Sequence, residues 1–296
     1  MASMHIVLVG TSSLRNLGRA LLGASGEEWA VSVRQHLGAR YSLEELRGAF
    51  RVCSNPRPGS HEDVECGRLV SGSSTAARAA CDALLLEPYS LSAELNAMRP
   101  WIEAFERGDE DALGRVVLLA TDTGAGQAAA RVIKCYFSSL RGGRVDVEVR
   151  VVPGLGRPEP LYKGLVKLLY EVRRLARSAP EGDCVLLNLT GGFKPEGAYA
   201  LIGGYADAHA AYYIHETFRH TVVIPLPRLK SLLESRSTAA KRVEGGAYYP
   251  LDPSSREARC IRAVLEPPGL ARPYKPPKGP EGVWVDASIA ELVLEE

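Results

Sequence analysis

Two short segments concentrate the residues that could do chemistry. The first is GTSSLRN (10–16), with Thr11, Ser12, Ser13 and Asn16 directly ahead of or inside an apolar-periodic stretch. Hydroxyls beside the free N–H groups of a helix N-terminus make a phosphate-sized anion site. Ser12 or Ser13 would equally serve as an ordinary helix cap. The second segment is TGGFKPEG (190–197), carrying Thr190, Gly191, Gly192, Phe193 and Lys194. Paired glycines permit a tight strand-to-helix turn and close backbone approach by a ligand. Lys194 then stands at a helix N-terminus, where the dipole disfavours a cation. An anionic ligand explains that placement; a merely solvated lysine is the other reading. Two further turns add polar groups: TDTGAGQ (121–127), with Asp122, Thr123, Gln127 and then Arg131, and PGLGRPEP (153–160), with Arg157 followed by Tyr162 and Lys163. Together they outline a pocket for phosphates and bases, although each arginine alone also reads as a surface residue.

These turns need a frame. Four nearly continuous apolar runs, HIVLVG (5–10), VVLLAT (116–121), VDVEVRVV (145–152) and CVLLNLT (184–190), suit strands buried on both faces. Each is followed by a turn and a helical pattern, at 14–23, 125–140, 161–179 and 195–209. This alternation predicts an α/β fold: a Rossmann-like, doubly wound, mostly parallel sheet with right-handed crossovers. The runs at 210–216 and 221–226 predict an antiparallel hairpin at the sheet edge. A helical insertion at about 24–115 enlarges the first crossover, with helices expected at 27–37, 42–50, 72–87 and 91–108 and a loop at 54–63. Ser90 or Ser92 is a fitting cap for the last of these helices. Residues 1–226 thus read as one Rossmann-like domain, and 227–296 as a small Pro/Gly-rich appendage with a helix expected at 228–241. If the strand order is 3-2-1-4, the turns after the first and fourth strands face each other at the point where ligands bind in such sheets.

Composition narrows the function classes. The 296 residues carry 36 basic and 35 acidic side chains, net +1, which argues against holding long nucleic acid by bulk charge but allows a local basic pocket. With 46% hydrophobic and 24% charged residues the chain is globular rather than disordered. No apolar run is long enough for a membrane helix and no signal-like segment opens the chain, so a soluble cytoplasmic protein is expected. The 28 arginines against 8 lysines, with only 4 Asn and 2 Gln, hint at a thermophile; GC-rich coding would give the same arginine bias. The six cysteines form no C-x-x-C pair and have no accompanying histidine spacing, so no metal or other cofactor is expected. Most read as small buried apolar residues. Cys53 and Cys66 flank a Pro/Gly-rich loop and could be bridged.

The set GTSSLRN, SAELNAM, LLATDTGAG and NLTGGFKPEGAY resembles the CRISPR-associated Rossmann-fold (CARF) family, above all its stand-alone ring nucleases. The resemblance spans roughly residues 4–226; the tail has no counterpart. It implies a homodimer that binds a cyclic oligoadenylate across its two-fold axis, usually cyclic tetra-adenylate, a second messenger of type III CRISPR antiviral defence. It further implies that Ser12, with Ser13 beside it, and Lys194 form the active-site pair, and that Arg131 contacts phosphate. Cleavage of such a ring needs no outside nucleophile and no metal. The ribose 2′-OH attacks its own phosphate once twisted in line, and the protein supplies geometry and charge stabilisation.

Ring-sensing relatives often carry an RNA-cutting domain with an R-x4-6-H motif. None of the six histidines has an arginine at that spacing; Arg57 and His61 are separated by only three residues. The competing reading is a sensor or transcription regulator that binds the ring without cutting it. The tail shows no helix-turn-helix and the net charge is unsuited to DNA. A third reading is another Rossmann-like enzyme or nucleotide binder.

Overall fold

In the first strand, β1 (Ser3–Leu8), Met4, Ile6 and Leu8 belong to one apolar cluster, whereas Val7 and the following Val9 belong to another. A strand with both faces apolar must be sandwiched, and the computed structural model shows how. It describes residues 3–156, 161–192, 194–214, 220–235, 239–277 and 279–294. β2 (Arg115–Thr121), β3 (Asp146–Val152), β4 (Cys184–Asn188), β5 (Ala210–Tyr213) and β6 (Val222–Pro225) complete a six-stranded sheet of order β3-β2-β1-β4-β5-β6. All neighbours pair in parallel except β5 and β6, the expected edge hairpin. One face is covered by α9 (Leu161–Ser178) and α10 (Lys194–Gly204), with Leu165, Leu168, Val172 and Leu175 facing the sheet. The other is covered by α1 (Ser12–Leu21), the insertion, and α8 (Gly124–Ser139). The chain is therefore a mixed α/β, Rossmann-like protein.

The insertion holds α2 (Glu28–Gly38), α3 (Leu43–Cys53), α4 (His61–Leu69), α5 (Thr75–Leu86), α6 (Pro88–Leu91) and α7 (Ala93–Glu106). Ser92, and not Ser90, caps α7, accepting the Leu95 N–H at 3.2 Å. Helix α4 falls partly where a loop is expected. Its segment, HEDVECGRL, has few apolar residues and buries only Asp63 and Cys66. It is held instead by Ser60, which accepts the Asp63 N–H at its start, and by a Cys53–Cys66 disulfide.

The cysteine reading needs correction. Besides Cys53–Cys66, Cys81 is bonded to Cys135 and Cys184 to Cys260, with Cα atoms 6.0 and 5.6 Å apart. The latter two pairs span 54 and 76 residues, so only the folded topology brings the partners together.

The last 70 residues build more than a helix and an arm. After α11 (Pro227–Glu234), the strands β7 (Lys241–Val243), β8 (Gly246–Tyr249), β9 (Ala271–Tyr274) and β10 (Gly282–Asp286) form an antiparallel sheet of order β7-β8-β10-β9, flanked by α12 (Arg256–Leu265) and α13 (Ala287–Leu294). Strands this short, one of them containing Pro273, leave little alternation to read in advance. The small sheet shares one apolar cluster with the insertion, and the buried Trp101 indole of α7 donates to the Ala263 carbonyl of α12 at 2.9 Å.

At the opposite end of β1 from the glycine turn, His5 is fully buried, its ring nitrogens within reach of the Tyr212 hydroxyl (2.8 Å) and the Ser3 hydroxyl (3.0 Å). Burial pulls its pKa down to about 4. His209, whose Nδ1 accepts the Val185 N–H, is pulled down to about 3 by burial and then by the charges of Arg228 and Arg256. Both therefore fold as neutral rings, and the unfolded chain binds protons more readily. Their contribution is complete above pH ~6.5 and is lost as pH falls through about 4 for His5 and about 3 for His209. The urea midpoint should drop over that window, and His5→Gln should flatten part of the drop. A midpoint constant from pH 7 to 4.5 would contradict this account.

Candidate functional site

The observed order places β4 beside β1, with Val7 opposite Asn188, so their following turns emerge side by side. How closely they meet is measured by three glycines. A methyl on Gly10 would lie 3.1 Å from the Gly192 nitrogen. A methyl on Gly191 would run into the Leu8 carbonyl and lie 2.7 Å from Glu94 Oε1 and 2.8 Å from the Gly10 nitrogen. Gly192 has φ +80°, the left-handed region that side chains other than glycine rarely adopt.

The partner that joins these turns is Glu94, in the first turn of α7 and buried to 0% exposure. Its Oε1 accepts the Gly10 N–H at 2.8 Å. Its Oε2 accepts the hydroxyls of Ser12 at 2.8 Å and Ser92 at 2.7 Å. Its backbone carbonyl accepts from Asn188 Nδ2 at 3.0 Å, and Asn188 Oδ1 in turn accepts the Thr190 N–H at 3.0 Å. A carboxylate at a helix N-terminus is electrostatically favoured, and three donors offset its burial.

Ser12 opens α1, but its hydroxyl does not cap its own helix. It donates to Glu94 and accepts the Ala93 N–H at 3.2 Å, so it caps α7 from outside. A serine hydroxyl has one hydrogen and two lone pairs. The half-buried Ser12 is therefore left with one lone pair and can act only as an acceptor toward a ligand. Ser13 lies beside it, buried, its Oγ lacking a hydrogen-bond partner among the described residues. Lys194 opens α10, exposed to solvent and without a partner among the described residues. Close to it, the buried Glu196 side chain packs against Gly192.

Other expected residues hold the rim. Asp122 Oδ2 accepts the Gly154 N–H at 2.9 Å, tying the turn after β2 to the turn after β3. Thr123 caps α8 through the Gly126 N–H. Thr190 Oγ1 accepts the Ile214 N–H at 3.2 Å. Asn16 Nδ2 donates to the Leu91 carbonyl at 3.1 Å and so fixes α1 to α6. Gln127 is half-buried in the first turn of α8, and Tyr162 is 69% exposed on α9. Arg131 lines a cavity between α5 and α8 that no described residue of the Gly10–Ser12 or Thr190–Lys194 turns borders. Arg157 and Phe193 lie outside the described residues.

Cys184, His209 and Cys260 bring three potential metal-ligand atoms within 4.8 Å of one another. Because the two sulfurs are bonded to each other and His209 Nδ1 accepts a backbone N–H, that group is arranged as a covalent clamp. No helix among the described residues is long and apolar enough to cross a membrane.

Glu94 and Asn188 were not among the expected site residues. The available sign was a charge on the apolar stripe of α7, where position 94 shares a face with Met98, Trp101 and Phe105. Because the two turns touch through bare backbone, Gly191→Ala should lower unfolding stability by about 1–3 kcal/mol, as overpacking does. Denaturation of the variant at a midpoint equal to the parent's would show that the turns are not in contact.

Residues 89–227, from α6 to the start of α11 and just under half of the chain, match a family model described as CRISPR-associated protein (Cas_APE2256). The matched part includes Glu94, Asn188 and the Thr190–Lys194 turn but not the Gly10–Ser12 turn. No curated protein matches the chain. The family match supports a CRISPR-associated protein.

Proposed function

We propose that this protein is a ring nuclease that binds a cyclic oligoadenylate, most simply cyclic tetra-adenylate, and slowly opens it, quenching the signal of type III CRISPR defence. The observation that carries the proposal is the meeting of two turns at the sheet's switch point. One presents a serine held as an acceptor, the other an exposed lysine at a helix N-terminus that has no partner among the described residues. The CRISPR-associated family match supports the same reading.

In the proposed reaction a ribose 2′-OH donates to the remaining lone pair of Ser12. As the 2′-oxygen attacks phosphorus, its proton passes to Ser12 while the Ser12 proton passes to Glu94. The P–O5′ bond breaks, leaving a 2′,3′-cyclic phosphate. Lys194 neutralises charge on the pentacoordinate phosphate and gives a proton to the departing 5′-oxygen; solvent then returns a proton to Lys194 and takes the one held by Glu94. A homodimer would present two Lys194 side chains to one ring. The exposed Ile202 on α10 and Tyr205 just beyond its end are apolar groups that a second copy would cover.

Purified protein with cyclic tetra-adenylate and a chelator should yield linear di-adenylate ending in cyclic phosphate. Tight binding with the ring intact after long incubation would favour a non-catalytic sensor. Lys194→Ala should reduce cleavage about 10²-fold or more while changing binding less, the size expected for loss of charge stabilisation; undiminished cleavage would remove Lys194 from the reaction. Glu94→Gln should fold, because the Ser12 and Ser92 hydroxyls can rotate to accept from the new amide. It would turn Ser12 from acceptor into donor and should abolish cleavage with the ring still bound.

A further inference from the structure

The three disulfides are not equally reachable. Cys53 and Cys66 are both 0% exposed, and Cys184 and Cys260 are 0% and 3% exposed. Cys81 is 8% exposed, and Cys135 is half-buried. Both Cys81 and Cys135 line a solvent-open cavity of about 370 Å³ between α5 and α8. Arg78 precedes Cys81 by three residues on α5, and Arg131 precedes Cys135 by four on α8, so each cysteine has a guanidinium one turn away on its own helix. Both arginines are exposed and line the same cavity, and among the described residues neither has an ion-pair partner. The cavity's carboxylate, Asp82, is already engaged by Arg40 at 3.1 Å and by the Tyr41 hydroxyl at 2.9 Å. The uncompensated charge facing the Cys81–Cys135 bond is therefore positive.

The other solvent-reachable sulfur, Cys260, differs in this respect. Its smaller cavity, about 200 Å³, is lined by Asp183 and Glu257 as well as by Arg228 and Arg256. There Arg256 pairs with Glu181 at 2.9 Å and Arg228 donates to the Asp207 carbonyl.

We propose that Cys81–Cys135 is a thiol-exchange site selective for small thiols that carry negative charge. The thiolate of such a molecule attacks Sγ of Cys135, the more exposed sulfur. The S–S bond breaks and its electron pair leaves on Cys81, whose thiolate the Arg78 guanidinium stabilises. A mixed disulfide remains on Cys135. A second thiol molecule attacks the external sulfur of that mixed disulfide and leaves as part of the oxidised dimer. Two small thiols are thereby oxidised to one disulfide, while Cys81 and Cys135 are reduced to two thiols. The arginines act twice, concentrating the anionic attacker and stabilising the leaving thiolate.

The test treats the fully oxidised, full-length protein with limiting 2-mercaptoethanesulfonate, 2-mercaptoethanol or cysteamine, which are anionic, neutral and cationic thiols of similar size. Each rate is divided by that thiol's rate on oxidised 2-mercaptoethanol, a neutral model disulfide. Alkylation and peptide mass mapping then locate the opened bridge. The expected result is that Cys81 and Cys135 open first, with alkylated Cys81 and the mixed disulfide on Cys135. The anionic thiol should be favoured over the neutral one by roughly fivefold at low salt, an advantage lost at high salt. Arg78→Gln with Arg131→Gln, both exposed positions, should remove the preference without changing the circular dichroism spectrum. First opening at either other bridge, no charge preference, or a preference that survives the double substitution would each overturn the proposal.

Discussion

The architecture depends on one buried carboxylate. Glu94 sits where β1 and β4 end and α7 begins, and it gathers donors from Gly10, Ser12 and Ser92 at a depth where water cannot substitute for them. Removing any one donor would leave charge inside the protein uncompensated, a far larger cost than the loss of a surface hydrogen bond. This explains why the turn after β1 can be so short and free of side-chain capping: its conformation is imposed from α7. The backbone carbonyl of the same residue extends the constraint through Asn188 to Thr190. The two turns are therefore positioned by a helix that belongs to neither.

That helix also explains the large insertion. A minimal crossover between β1 and β2 needs one helix, and this chain uses seven, α1 to α7. The last of them brings Glu94 to the switch point with its N-terminus and reaches α12 of the small C-terminal sheet through Trp101. The candidate site and the tail are thus fastened to different turns of one helix. Its apolar stripe, Leu95, Met98, Trp101, Ile102 and Phe105, runs past both points of attachment.

The sheet was legible because burial on both faces writes continuous apolar runs, and because β–α alternation admits few topologies. The facing of the 10–16 and 190–197 turns followed from strand order alone. What could not be read was anything that depends on side chains meeting across long sequence separations. Glu94 lies 82 residues from Ser12, and nothing local marks it as more than a misplaced charge on an amphipathic helix. Helix α4 escaped because a cap and a crosslink hold it in place of an apolar face. The β7–β10 sheet escaped because strands of three to five residues fall below the length at which alternation is informative. Cys53–Cys66, close in sequence across one loop, was open to view, but the other two pairings escaped because six cysteines admit fifteen connectivities.

Of those fifteen, the fold uses the one in which each cysteine joins the next along the chain: first to second, third to fourth, fifth to sixth. The three covalent rings therefore neither overlap nor nest. A polypeptide emerging from its N-terminus can close each ring before the next cysteine pair exists, so no wrong partner must be released to reach the native pairing. The crosslinks also divide the molecule into consecutive stretches, one inside the insertion, one from the insertion across β2, and one from β4 to the tail. The order of synthesis is thereby also an order in which the architecture can be locked.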